Sequence, residues 1–227
     1  MPEVKKWAMD VRMSFQKTGM AKFISHLDTV RCITRAMKRA CVPIWFTEGF
    51  NPHAFLTFAM PLSLGFESLC ETVDFRLMEE TDLTELAERI NNALPVDITV
   101  KEIYVYETLP NDIRWAEYKI IFNNPDDALL SQAEKILSSD EIMVMKKGKQ
   151  GRKKVEKEVN IKEHIKSFEL SEDSGKLILN TILSSGTSVN INPMLLIGAL
   201  VKDTQTDEQD VDIIKVQSYT ENMEVFR

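Results

Sequence analysis

A chain of 227 residues with 44% hydrophobic and 28% charged side chains can hold one large domain or two small ones, in ordinary globular proportions. Its net charge of −7 argues against a generally basic nucleic-acid binder, and no apolar run approaches the roughly 18 residues that span a bilayer. Residues 1–10 carry no long apolar stretch, and three cysteines without a CxxC spacing suit a reducing, cytoplasmic setting rather than a disulfide framework.

Val11, Met13 and Phe15 alternate with Arg12, Ser14 and Gln16, the period of a half-buried strand. Lys17-Thr18-Gly19 turns the chain, and Ser25 stands three residues before Asp28, a capping-box spacing that starts a helix. Val30, Ile33, Met37 and Ala40 form its apolar stripe, Arg31, Arg35 and Arg39 a row on another face, and Pro43 its exit. Phe55 to Pro61 and Leu69 to Leu77 read as strands. Asp82 and Glu85 cap a second helix that Pro95 stops, and Ile98 to Tyr106 makes a fourth strand. The order is βαββαβ, a ferredoxin-like split βαβ unit over residues 1–109.

Leu109 to Trp115 marks the boundary, and residues 116–227 repeat the order of elements. Tyr118, Ile120 and Phe122 suggest a strand, and Asn124-Pro125 a cap with proline at the first helical position, followed by Leu129 to Leu137. Glu141–Lys147 and Arg152–Val159 form a hairpin around Gly148 and Gly151, and Ile161, Ile165 and Phe168 suggest a short helix. Lys176 to Leu183 is a strand, Asn192-Pro193 caps a helix through Val201, Asp203–Asp210 is an acidic loop, and Val211–Tyr219 is the last strand. The expected architecture is α+β, with two tandem ferredoxin-like units.

Charge is segregated along this chain. Residues 12–39 and 146–157 together hold 14 of the 28 basic side chains and 2 of the 35 acids, which points to an anionic partner. The opening turn of the first helix, with Ser25, His26 and Asp28, offers unpaired N–H groups and a dipole that favour an anion, and Arg31, Arg35 and Arg39 bring forks that match phosphate oxygens. Ser25 and Asp28 also serve as plain caps. The loop Glu48-Gly49-Phe50-Asn51-Pro52-His53 offers Asn51 and His53 as hydrogen-bonding groups, and Arg12, Lys17 and Glu71 complete the candidate ligand set. Lys146, Lys147, Lys149, Arg152, Lys153 and Lys154 make the second hairpin a basic ribbon suited to sequence-blind phosphate contacts. His26 and His53 are the candidates for acid/base chemistry. His26, Asp28, His53 and Glu71 have no HExxH-like spacing, so no metal site is expected.

The run Phe15-x-Lys17-x-Gly19-x-x-x-Phe23-Ile24-Ser25-His26-Leu27-Asp28, with Arg31, Arg35-Ala36, Arg39-Ala40, Gly49-Phe50-Asn51-Pro52-His53 and Pro61-Leu62-x-x-Gly65, resembles the radical-SAM-linked family, found beside or fused to a radical SAM protein. The resemblance is strong over residues 12–74 and weak beyond Trp115. It implies a bacterial cytoplasmic protein with a radical SAM partner, with the iron–sulfur cluster and SAM held by that partner and no cofactor in this chain. It also implies a role around RNA or ribosome metabolism. Tandem ferredoxin-like units resemble, at fold level only, the RAMP-type proteins that bind and cut CRISPR RNA. Where those carry a glycine-rich loop this chain has Ser184-Ser185-Gly186-Thr187. The leading expectation is a non-catalytic RNA- or substrate-binding accessory. A metal-independent ribonuclease and a protein–protein adaptor are its rivals.

Overall fold

Alternation in the first strand is read out as burial. Val11, Met13 and Phe15 are buried in β1 (Met9–Lys17), which pairs antiparallel with β3 (Glu67–Leu77) and β4 (Ile98–Tyr104). The short β2 (Leu56–Phe58) also pairs with β3. The apolar stripes of α1 (His26–Arg39) and α2 (Leu83–Asn91), among them Ile33, Met37, Leu86 and Ile90, close this core against Val73, Phe75 and Leu77. Each fully buried apolar side chain of this size contributes about 1.5–3 kcal/mol. This computed structural model describes residues 7–150 and 153–227. It divides into one unit that runs to Asp112 and takes in Val225–Arg227, and a second unit, Ile113–Glu224.

In the first unit the expected caps are in place. Ser25 Oγ accepts from the Asp28 amide, and Asp82 accepts from the amides of Thr84 and Glu85. α1 ends in a Schellman turn: Val42 N–H donates to the Met37 carbonyl, Cys41 N–H to that of Lys38, and Cys41 sits at φ +51°. Arg89, on α2, donates to the Ala40 and Cys41 carbonyls at 2.6 and 2.9 Å. Asn91 then exchanges two hydrogen bonds with the backbone of Val100, fixing the end of α2 to β4. These ties set where the following residues, Ala93 to Pro95, lie.

In the second unit β5 (Trp115–Phe122) pairs antiparallel with β9 (Lys176–Ser184) and β10 (Val211–Tyr219), and β8 (Ile165–Asp173) with β9. α3 (Leu129–Leu137) and α4 (Pro193–Val201) bury Leu129, Ala133, Leu137, Leu196, Ile197 and Leu200. Asn192 caps α4 by accepting from the Met194 amide. β6 (Met143–Gln150) and β7 (Lys153–Asn160) form a separate hairpin. The architecture is mixed α+β, with four α-helices among the described residues.

Four local expectations are corrected. The stretch Ile161–Phe168, read as a helix, is a 3-10 turn at Lys162–His164 running into β8. β8 is paired on one side only within its unit and is mostly exposed, so its sequence lacks the alternation that betrays a half-buried strand. Asn124 does not cap α3; the helix starts at Leu129, and Asn124 instead donates to Asp210. The strand expected over Phe55–Pro61 contracts to Leu56–Phe58. The last three residues leave the second unit for the first, because Phe226 is buried against Arg12.

Candidate functional site

α1 buries Thr29, Ile33, Ala36 and Met37 and turns its basic row outward. Arg31, Arg35 and Arg39, four residues apart, stand above one another on that face. Together with Asp28, Cys32 and the wall Ala93-Leu94-Pro95 they line an open groove of about 590 Å³. Its ionisable lining is three guanidinium groups, one carboxylate and one thiol.

The three arginines are committed to different degrees. Arg31 Nη1 lies 3.0 Å from Asp28 Oδ1, in a pair that is more than half exposed. Arg39 donates to the Ala93 carbonyl at 2.6 Å, tying the helix to the opposite wall. Arg35 is exposed and makes no hydrogen bond or ion pair among the described residues. Asp28 is held below the usual carboxylate range, first by the Ser25 hydroxyl donating to it at 2.7 Å and then by Arg31. The carboxylate is therefore charged at neutral pH and neutralises part of the row. Burial pushes the Cys32 thiol up, against the opposing pull of Arg39 and Arg35, so it stands in the groove as a thiol rather than a thiolate.

The remaining expected site residues lie elsewhere. Arg12 is fully buried. It makes a two-pronged pair with Asp74 at 2.6 and 2.8 Å and donates twice to Thr108, and its guanidinium lies 4.5 Å from the Tyr106 ring centre and 4.1 Å from that of Phe226. No face of it is left for a ligand. Lys17 is also buried; its ammonium donates to the Ile24 carbonyl, and desolvation lowers its pKa while Glu71 partly restores it. Glu71 is buried too and accepts from Ser68 at 2.8 Å. These three residues, expected at a ligand, are buried in the first unit instead.

His26 does not line the groove; its ring packs perpendicular to that of Phe58, 5.3 Å between centres. His53 is engaged in its own loop. Its Nδ1 lies 3.0 Å from Thr47 Oγ1 and 3.1 Å from the Asn51 carbonyl, and its backbone pairs with Thr47. Asn51 is exposed in that loop, and neither it nor either histidine lines the groove. Arg35, His26, Asn51 and His53 therefore do not converge on one hollow. On the hairpin, Lys146 donates to the Asn190 carbonyl. Arg152 lies outside the described residues, as do the side chains of Lys147, Lys149, Lys153 and Lys154. Among the described residues no three His, Cys, Asp or Glu side chains are grouped to hold a metal ion. No described helix is long and apolar enough to cross a membrane.

A family model described as an uncharacterized protein conserved in bacteria, DUF2344, matches residues 11–193. The chain belongs to the DUF2344 family. Its matched region contains the groove and the Thr47–His53 loop. No curated protein matches the DUF2344 chain. Among solved structures it is similar to a chain in a Cbf5-Nop10-Gar1 complex, with 9% identity, a TM-score of 0.49, and coverage of 96% of this chain and 54% of that one. It thus spans about half the length of that chain. It is also similar to an unknown protein from Galdieria sulphuraria, with 10% identity, a TM-score of 0.26, and coverage of 92% and 98%.

The wall Ala93-Leu94-Pro95 is the part of the groove that sequence reasoning missed. Pro95 signalled only where α2 had to stop. Its placement beside α1 depends on Asn91 and Arg89, whose partners are remote in sequence or in another element.

Proposed function

We propose that this chain is a non-catalytic accessory protein that holds RNA, or another phosphate-bearing substrate, along the α1 groove on behalf of a radical SAM enzyme. The observation that carries the reading is the arginine row lining one open groove, with Arg35 free of any partner among the described residues. A guanidinium fork fits two phosphate oxygens, and an unpaired one in a groove loses no existing contact when it binds. The basic β6–β7 ribbon supplies the second contact. The radical SAM partner, which would carry the iron–sulfur cluster and SAM, is supported by the resemblance of the motif run from Phe15 to Gly65 alone. In the same reading each unit is a ferredoxin-like βαββαβ module. The strand orders β4-β1-β3 with β2 on β3, and β10-β5-β9-β8, support it.

The test is binding of a labelled mixed RNA pool to the full chain at several salt concentrations. Phosphate contacts on single strands give a fall in log K with log salt of about 0.7 per phosphate neutralised. Arg35→Ala should lower the affinity and reduce that slope by about 0.7, whatever the RNA sequence. Binding that ignores salt, or no binding, overturns the proposal. Co-purification with the radical SAM neighbour before and after nuclease treatment separates an RNA bridge from a pure protein adaptor.

A further inference from the structure

Resting on that reading, we infer that the ligand of α1 is a single-stranded nucleic acid, held by its base faces as well as its phosphates. Two exposed aromatic residues stand on the chain on either side of α1. Phe23 precedes the first turn of α1 and is 57% exposed, with the Lys22 ammonium 5.5 Å from its ring centre. Phe46 follows the helix and is 40% exposed, with the Lys38 ammonium 5.9 Å from its ring centre. Lys22 also faces Glu67 at 3.6 Å, so its charge is shared. Each ring is exposed to solvent beside a positive charge.

The helix gives the spacing. His26 to Lys38 spans about 18 Å at 1.5 Å per residue. That length accommodates about five nucleotides stacked at 3.4 Å, within the site sizes of sequence-blind single-strand binders. At about 100° per residue, Leu27, Lys38, Arg31, Arg35, Asp28 and Arg39 follow one another around a single exposed arc. The arginines occupy the side toward Ala93–Pro95, and Lys38 the side toward Phe46. A strand lying on this arc meets guanidinium groups along one edge and Phe46, beside Lys38, along the other, and Phe23 stands on the chain just before the helix. An acidic protein would use the row and leave both rings without a role. A duplex keeps its bases stacked on one another and cannot use the rings either.

The experiment measures anisotropy of labelled probes with the full chain at one salt concentration. The probes are an eight-nucleotide oligoadenylate, the abasic strand with the same phosphates, an RNA duplex and short-chain polyphosphate, with polyglutamate as competitor. Base–aromatic stacking predicts that the oligoadenylate binds about tenfold more tightly than the abasic strand. Phe23→Ala and Phe46→Ala should each lower that advantage by about threefold, together abolish it, and leave polyphosphate binding unchanged. Phe23→Trp should preserve it, which controls for folding. Equal affinity for the oligoadenylate and abasic strands overturns this inference while leaving a phosphate-binding groove standing. So does a duplex that binds best. Polyglutamate that displaces the oligoadenylate as well as polyphosphate does also overturns it, in favour of a protein partner. Failure of every anion to bind overturns the underlying reading itself.

Discussion

Asp74→Asn should cost the first unit about 3–5 kcal/mol, the usual penalty for breaking a buried ion pair by removing one partner. Arg12 and Asp74 face each other across β1 and β3, with side chains 0% and 5% exposed. Both carboxylate oxygens are engaged by Arg12, at 2.6 and 2.8 Å. The amide of Asn keeps the shape but leaves a guanidinium enclosed by Tyr106, Phe226 and Thr108 with no compensating charge. Against a total stability of about 5–15 kcal/mol, that loss is a large share. The assay is urea unfolding read by Trp7 and Trp45, with Trp115 replaced by Phe in every variant. The paired replacement Arg12→Met with Asp74→Leu removes both charges and should recover most of the loss, since a matched apolar pair is often as stable as the ion pair it replaces. A loss below about 1 kcal/mol in the single variant, or a double variant no better than the single one, would refute the assignment of Arg12 to the interior.

Cys41→Gly should stabilise the protein by about 0.5–1 kcal/mol, read as a raised urea midpoint, because Cys41 holds φ +51° at the Schellman position where glycine is unstrained. Gly19→Ala should do the reverse and cost more than about 1 kcal/mol, since Gly19 sits at φ +52° and a Cβ there would lie 2.8 Å from the Asp97 carboxylate. Asp28→Asn should tighten RNA binding by about twofold to fivefold, by removing the groove's carboxylate and releasing Arg31. In the wild type, Asp28 is depressed below its ordinary 3.8, so its contribution to stability is complete above that value and is lost as pH falls through the lowered one; carboxyl chemical shifts during an acid titration check the direction.

What was legible in the sequence is what is decided locally. The caps at Ser25, Asp82 and Asn192 depend on residues two or three positions away, and all three form. The alternation of β1 and the i, i+4 arginine row likewise need only the chain's own period. Arg12 shows the limit. Its polar place in the alternation suggests solvent, yet Tyr106 and Phe226 cover it from 94 and 214 residues further along. Lys17 and Glu71 mislead for a different reason: both are buried on their strands, with Ile24 and Ser68, close in sequence, as hydrogen-bond partners. In the Thr47–His53 loop, the density of polar types suggested a ligand, but the side chains of Thr47 and His53 hold the loop's own backbone.

The arginine row is not what helix stability alone would select. Like charges four residues apart on a helix cost about 0.2–0.5 kcal/mol per pair, and α1 places two such pairs in succession, Arg31 with Arg35 and Arg35 with Arg39. The chain has 35 acidic residues, yet among the described residues none is set against Arg35. Arg35→Glu therefore separates folding from binding. It converts two repulsive pairs into two attractive ones and should stabilise the protein by about 1 kcal/mol, seen as a higher urea midpoint. The same change reverses the charge at the centre of the groove and should abolish RNA binding at any salt concentration where the wild type binds. A variant that is both more stable and still bound to RNA would show that the row contributes nothing to recognition. A destabilised variant would show that Arg35 already serves the fold.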